Sequence, residues 1–471
     1  MYRYISLPLL FMCALQYLTM NDRRMKIYIS GIGGSGLSAI ATFMADKGNT
    51  VTGSDRAFDL NPDDLLRSKL INNGIDIVTQ DGSGVDKNVD IAVFSTAVEN
   101  NRPDHVKAVE LGIPVITRPE YLARIIASYT TIAISGTSGK STTAGMLAFL
   151  MQKLGLDPNF IGGGRVKQFI SRSNPGNALS GGSNHLIFEA CESDGTIIHY
   201  KPFYSVILNL SLDHNPVDTT RGMFETFVNN TTDKVFLNAD DKHLVKMLGD
   251  KCITFSIDTP SRYRATEIDY RPLSTSFKLD DTEFNLLMPG KHNLYNAIAC
   301  IAVLSELGVP SASVADALPE FQGIERRFDI HLNDGNRLVI DDYAHNPHKI
   351  GYLMRTMQRL SDKVCYIFQP HGFGPTRLMK DGYIDTFAHN LRDTDHLILL
   401  PIYYPGGTVA RDISSNDLAP GIKEHGRSVE VVEKRGDVLE KLDACEAIVV
   451  FGARDETLAV LAGDIAHMPG K

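Results

Sequence analysis

A chain of 471 residues, 43% hydrophobic and 22% charged, is long enough for about three folded domains and has an ordinary globular balance. Its formal net charge of −9 argues against nucleic-acid backbone, or stable association with an anionic membrane, and leaves room for small anionic ligands held by local cations. The six cysteines, at 13, 191, 252, 300, 365 and 445, include no C-x-x-C pair, which argues against a disulfide framework or zinc site and fits a reducing compartment.

The first segment, residues 1–24, holds a mostly apolar run after Arg3 that is like a signal-peptide core. No A-x-A cleavage site follows it, and it is too short for a normal membrane span. It is read either as a product of start-site choice, with Met25 the natural start, or as a loosely attached extension.

A first domain is expected over 25–128. A strand at 26–30 leads into G-I-G-G-S-G, a helix to Lys47, and a second strand from Thr50 that ends at Ser54 and Asp55. Gly31, Gly33 and Gly36 fit G-x-G-x-x-G with an acid about 20 residues on, the dinucleotide fingerprint. Many glycine-rich turns of this kind bind nothing. A helix near 62–73, strand 91–94, helix 103–111, strand 113–116 and helix 119–128 continue the alternation. Such a pattern implies a mostly parallel sheet with ligands at the carboxyl ends of its strands. Ser95 and Thr96 close one strand, as ligand hydroxyls or as simple strand-end caps.

The second domain, 129–322, opens with T-T-I-A-I-S-G-T-S-G-K-S-T-T from Thr130 to Thr143. Gly136, Thr137, Ser138 and Gly139 read as a turn whose N–H groups face an anion at a helix N-terminus. Lys140 would reach terminal phosphates, Ser141 would hold Mg²⁺, and Thr142 stands beside them. The spacing is shorter than the full phosphate-loop pattern, so an ordinary Gly/Ser turn is the competing reading. Glu192 and His214 follow strands at 186–190 and 204–210 and have the character of Mg²⁺ ligands, against a solvated acid and a structural histidine. A β-rich stretch, 262–288, precedes a helix over 292–307. His292, Asn293 and Asn296 would share one face there, with amides suited to an adenine edge, although N-capping explains Asn293 equally well.

The third domain, 323–471, alternates again. Strands are expected at 328–333, 337–341, 364–368, 396–400, 429–432 and 447–451. Helices are expected from Pro347 and at 378–391, 416–424, 436–442 and 454–466. The fold class is α/β throughout: a Rossmann-like N-terminal domain, a central ATPase-type domain with a P-loop, and an open α/β C-terminal domain.

Seven motifs in this order, G-I-G-G-S-G at 31, G-T-S-G-K-S-T-T at 136, E-S-D at 192, D-H at 213, P-G-K-H-N-L-Y-N at 289, R-R-F-D at 326 and D-D-Y-A-H-N-P at 341, make residues 25–460 resemble the Mur ligases. The resemblance implies an ATP- and Mg²⁺-dependent cytoplasmic ligase, a monomer or homodimer of peptidoglycan precursor synthesis. Its substrates would be UDP-N-acetylmuramate and an amino acid, L-alanine favoured, or a short peptide. It assigns the first domain (Gly31, Gly33, Gly34, Ser35, Gly36, Asp55, Ser95, Thr96) to the UDP-sugar rather than to a nicotinamide. It gives ATP the loop Gly136–Thr142 with His292, Asn293, Asn296, Arg327 and Asp342. Ser141, Glu192 and His214 would hold the metal. Lys140, Arg327 and His345 carry the catalytic roles, and Tyr343, His345 and Arg377 border the incoming amine.

The sequence departs from the family pattern in two places. Ser138 and Ser141 stand where G-T-H-G-K-T-T-T is usual, and serine keeps the metal-binding hydroxyl. Q-P-H-G-F-G-P-T-R at 369–377 has Gly372 and Pro375 where alanine-adding members carry arginines, while Arg377 is kept. Guanidinium groups suit carboxylates because they bind them bidentately, so this loop bears on the choice of amine. A peptide-adding recycling ligase, a nicotinamide oxidoreductase and a non-catalytic Mur-like scaffold are the alternatives. The second leaves the phosphate loop without a role, and the third leaves Lys140, Glu192 and His214 without one.

Overall fold

The computed structural model describes residues 24–211, 216–404, 409–442 and 445–468. Thus nearly all of the expected extension, and His214, lie outside the described residues. The chain divides into two compact units. One takes the residues up to Thr137 with 155–206 and 210–235, and the other takes 138–154, 207–209 and 236 onward.

The first unit opens with β1 (Lys26–Ser30), β2 (Thr50–Ser54), β3 (Asp76–Val78), β4 (Ile91–Phe94) and β5 (Val115–Thr117). Their order is β3-β2-β1-β4-β5 and every pairing is parallel. The order reverses between β1 and β4, and the crevice at such a reversal is where open α/β sheets bind ligands. I-A-V-F of β4 is buried at every position, as a parallel strand covered on both faces requires. The helix expected near 62–73 is found as Leu65–Asn72, capped by Asp64, and a further short helix, Arg56–Leu60, capped by Asp55, precedes it. Pro62 keeps the two apart, because the residue before a proline is pushed away from helical angles.

The same unit holds β6 (Thr130–Ser135), β7 (Asn159–Ile161), β8 (Ala178–Leu179), β9 (His185–Glu189) and β10 (Tyr204–Ile207), in the order β10-β6-β9-β7-β8. The second unit carries most of β11 (Lys234–Asn238), with β12 (Cys252–Ser256), β13 (Tyr263–Tyr270), β14 (Thr275–Leu279) and β15 (Thr282–Leu286). The last three form an antiparallel meander.

Residues 329 onward build β16 (Asp329–Asn333), β17 (Leu338–Asp342), β18 (Val364–Phe368), β19 (His396–Leu399), β20 (Val429–Val431) and β21 (Ala447–Phe451), in the order β16-β17-β21-β18-β19-β20. Side chains of β18 alternate between two cores. Tyr366 and Phe368 pack with Phe387 and Phe451 on one face, and Cys365 and Ile367 with Val450 and Leu458 on the other. The cysteine spacing argues against a disulfide framework, yet one pair meets: Cys365 and Cys445 are disulfide-bonded, with Cα atoms 5.8 Å apart. They meet because β18 and β21 are neighbours, an adjacency that a separation of 80 residues hides from sequence. Among the described residues no helix is long and apolar enough to cross a membrane.

Candidate active site

The first glycine turn leaves β1 at Gly31 (φ 84°), whose N–H bonds to Ser54 O at 2.8 Å. A Cβ on Gly31 would fall 2.8 Å from Ser95 Cβ, so glycine lets the two strand ends approach. Ser95 in turn donates its N–H to Ser30 O at 3.0 Å, and Thr96 follows it in the turn after β4. Gly34 caps the helix Ser35–Asp46. Asp55, the acid of the fingerprint, grips the turn itself: its carboxylate accepts from Gly33 N at 2.8 Å and Ala57 N at 2.9 Å. Burial pushes its carboxyl above the usual range while these two N–H groups pull it down. Two contacts escaped sequence reading. Asn177 donates to Ser35 O at 2.8 Å, and Arg118, beside Gly36, pairs with Asp194 at 2.7 Å.

The second turn runs from Gly136 (φ 133°) to Gly139 (φ 90°), which caps the helix Lys140–Lys153. Lys140, Ser141 and Thr142 form that helix's first turn, where N–H groups lack intrahelical partners and favour anions. In the first unit Thr137 and Ser211 are joined, Ser211 N donating to Thr137 Oγ1 at 3.0 Å. Glu192 is buried just past β9. In the second unit Asn209 and Ser138 bond reciprocally, each through one N–H···O contact of 2.9 Å. A Cβ on Gly139 would fall 2.6 Å from Asn296 Oδ1, so this position also demands glycine. Asn296 donates to Asn293 Oδ1 at 3.3 Å, and Asn293 donates to Pro289 O at 2.8 Å. Of the three residues expected to share a face, both asparagines are buried, and His292, one helical turn before Asn296, is exposed at the helix start.

The third group lies at the carboxyl ends of β17, β18 and β21. Arg326 (φ 61°) is buried and fully engaged: Nε reaches Asp341 at 3.1 Å, Nη1 donates to Asp455 O at 2.9 Å and Nη2 to Gly452 O at 2.7 Å. Its neighbour Arg327 lies over the Tyr343 ring, 5.0 Å from its centre, as Arg326 does at 5.2 Å. Asp342 accepts from Phe328 N at 2.7 Å and Ala344 N at 2.8 Å. Burial raises its carboxyl, with Arg327 and these N–H groups opposing. His345 lies edge-on to Tyr343 and His371, with ring centres 5.6 and 5.4 Å away. Burial lowers His345 to about 4, against a hydrogen bond from its Nδ1 to Tyr343 O, so the ring is neutral at pH 7. His371 is lowered too, by burial and then by the charge of Arg454. Arg377, the arginine kept in the altered loop, is tied to Ala410 O and Asp412.

Three family models cover the chain in succession: Mur ligase family, catalytic domain, over 26–130; Mur ligase middle domain, over 134–304; and Mur ligase, glutamate ligase domain, over 326–454. A UDP-N-acetylmuramate–L-alanine ligase of Syntrophotalea carbinolica is 32% identical over 415 residues, 85% of this chain and 88% of that protein. The chain belongs to the Mur ligase family. The crystal structure of the UDP-N-acetylmuramate–alanine ligase of Thermotoga maritima superposes with a TM-score of 0.78 at 27% identity, covering 94% of this chain and 98% of that one. A murein peptide ligase of Psychrobacter arcticus shares the fold, with a TM-score of 0.68 at 22% identity over 95% of this chain and all of that one.

This Mur ligase is therefore an enzyme that forms amide bonds, and its second glycine turn lies within the middle-domain match. Among the described residues no three His, Cys, Asp or Glu side chains gather as a metal site. The donors expected for Mg²⁺ nonetheless suit a hard cation: the Glu192 carboxylate, and the Ser141 hydroxyl at a helix start.

Proposed function

We propose that this Mur ligase joins the carboxylate of UDP-N-acetylmuramate to the amine of L-alanine at the expense of ATP, through an acyl phosphate. The observation that carries this reading is the 32% identity, over 85% of this chain, to a relative named for that substrate pair. Carboxylate is a poor electrophile, and phosphorylation converts it into one that an amine can attack. Such transfer asks the protein mainly for positioning and charge stabilisation.

In this reading the turn Gly136–Thr142 takes the ATP phosphates, with Lys140 supplying the cation, and Arg327 and Asp342 flank the nucleotide. Ser141, Glu192 and His214 would hold Mg²⁺, which when bound neutralises charge on phosphate oxygens. The first-domain turn, Gly31–Gly36 with Ser95 and Thr96, takes the UDP-sugar, and Asp55 keeps that turn in shape. Tyr343 and His345 border the amine. A neutral His345 can accept a hydrogen bond from the amine without repelling it, and its low proton affinity suits positioning better than strong base catalysis. The reaction belongs in the cytoplasm, where ATP is supplied.

A second reading, transfer of a short peptide to the same sugar, draws on Gly372 and Pro375, which leave Arg377 the one arginine of the loop 369–377. Phosphate release with UDP-N-acetylmuramate and a panel of amines decides between the two. Turnover with L-alanine supports the first and turnover with a peptide alone supports the second. No release with any amine overturns both.

A further inference from the structure

After β21 the chain passes through Gly452, Ala453 and Arg454, and Arg454 has φ 66°. That left-handed conformation is uncommon for a residue with a side chain. Its neighbours impose it. Arg326 holds the carbonyls of Gly452 and Asp455 at 2.7 and 2.9 Å. The Asp455 carboxylate is held by Arg435 and by Thr457, whose N and Oγ1 lie at 3.0 and 2.6 Å. Arg454 donates its own N–H to Tyr343 OH at 3.2 Å. Strain of this kind persists only where the surroundings over-determine it, and it gathers at functional sites.

The turn presents an exposed guanidinium that has no hydrogen-bond or ion-pair partner among the described residues. Its charge is felt at His371, whose Nδ1 is buried without a partner. The other arginines nearby are committed: Arg326 to Asp341 and two carbonyls, Arg327 to the Tyr343 ring, Arg377 to Asp412, and Arg411 to the Tyr404 ring, 4.6 Å away. Gly372 and Pro375 offer no cation.

We propose that Arg454 is a specificity-determining residue that receives the carboxylate of the incoming amine substrate beside Tyr343, His345 and His371. The proposal rests on the ligase reading above. It requires the amine to carry a free carboxylate, from a single amino acid or from a peptide. A guanidinium fork matches that group bidentately, which an ammonium cannot do.

The test measures ATP-dependent phosphate release by wild type, Arg454→Gly and Arg454→Lys with L-alanine, L-alaninamide and a peptide beginning with L-alanine. Arg454→Gly should raise the melting temperature, because glycine adopts the turn without strain. It should also raise the KM for the carboxylate-bearing amine by about 10- to 100-fold, the worth of a charged hydrogen bond, with the KM for ATP unchanged. L-alaninamide should not distinguish the variants, and Arg454→Lys should recover part of the loss. The amine whose KM rises identifies the source of the carboxylate. Equal KM values for every carboxylate-bearing amine in wild type and Arg454→Gly would overturn the proposal, as would an equal loss with the amide. No phosphate release by wild type with any amine would overturn the ligase reading, and this assignment with it.

Discussion

The chain makes a strand–glycine–helix turn twice and braces the two by different chemistry. At the first, the carboxylate of Asp55 takes the Gly33 and Ala57 N–H groups. At the second, neutral amides do the bracing: Asn209 bonds Ser138 in both directions, and Asn296 fills the space beside Gly139. A carboxylate brace sets a negative charge against its turn. Two like charges 4 Å apart repel by about 4 kcal/mol at an effective dielectric of 20. An amide brace adds no charge, and Lys140 follows it directly. The same grammar thus yields a first turn whose Gly33 N–H is already taken by a carboxylate and a second that is braced without any negative charge. The glycines alone do not carry that distinction.

The largest effect expected from this contrast comes from Lys140→Ala. Loss of one preorganised charge donor should cut turnover by about 10²–10³ with an unchanged melting temperature. Near-normal rates in the folded variant would break the comparison. Next comes alanine at the two glycines. Gly139→Ala combines φ 90° with a 2.6 Å approach to Asn296 and should cost about 2–3 kcal/mol in denaturant unfolding. Gly33→Ala meets the Asp55 carboxylate at 2.9 Å and the Phe58 ring at 3.2 Å, and should cost about 1 kcal/mol because the carboxylate can shift and no positive φ adds to the clash. A reversed order of these two losses would show that the braces are not what fixes the turns.

Asp55→Asn replaces the charged brace by a neutral one. At neutral pH it should leave stability unchanged or slightly higher, since burial penalises the carboxylate's charge and the amide oxygen still accepts from Gly33 and Ala57. Calorimetry should still detect no NAD binding, and tight binding would revive a dinucleotide role. The smallest effect is a titration. Burial raises Asp55 above the ordinary 3.8, so below its folded-state pKa the folded protein binds a proton before the unfolded chain does. Its contribution to stability therefore rises as pH falls from that pKa towards 3.8. The amide NMR signals of Gly33 and Ala57 should move with a midpoint above 3.8, while those of Ser138 and Gly139 stay still.

Strands, helices and both glycine turns were legible in the sequence because their signals are local: apolar runs, glycine spacing and capping residues. Length set the lower limit of what could be read. The three-residue β3 and β7 and the two-residue β8 give too short a signal, the last inside a stretch rich in Gly, Ser and Asn. The braces were not legible, since Asn209 and Ser138 lie 71 residues apart, and Arg118 and Asp194 lie 76 apart. Asp55 was found through its spacing, but not its attachment to the turn's backbone. Neighbours in sequence posed a further problem in R-R-F-D. Nothing local says which arginine is buried: Arg326, at a positive φ, is buried against Asp341, while Arg327, over the same Tyr343 ring, is only half-buried.

The strand order of the last sheet also bears on how the chain is made. β21 lies between β17 and β18, yet roughly 80 residues separate it from the end of β18. At 5–20 residues per second a ribosome needs about 4–16 s to deliver it. Until then β17 and β18 each present an open edge to the growing chain and to other chains. A translational pause between codons 369 and 446 would prolong that exposure, so synonymous changes there should alter the soluble yield without altering the protein.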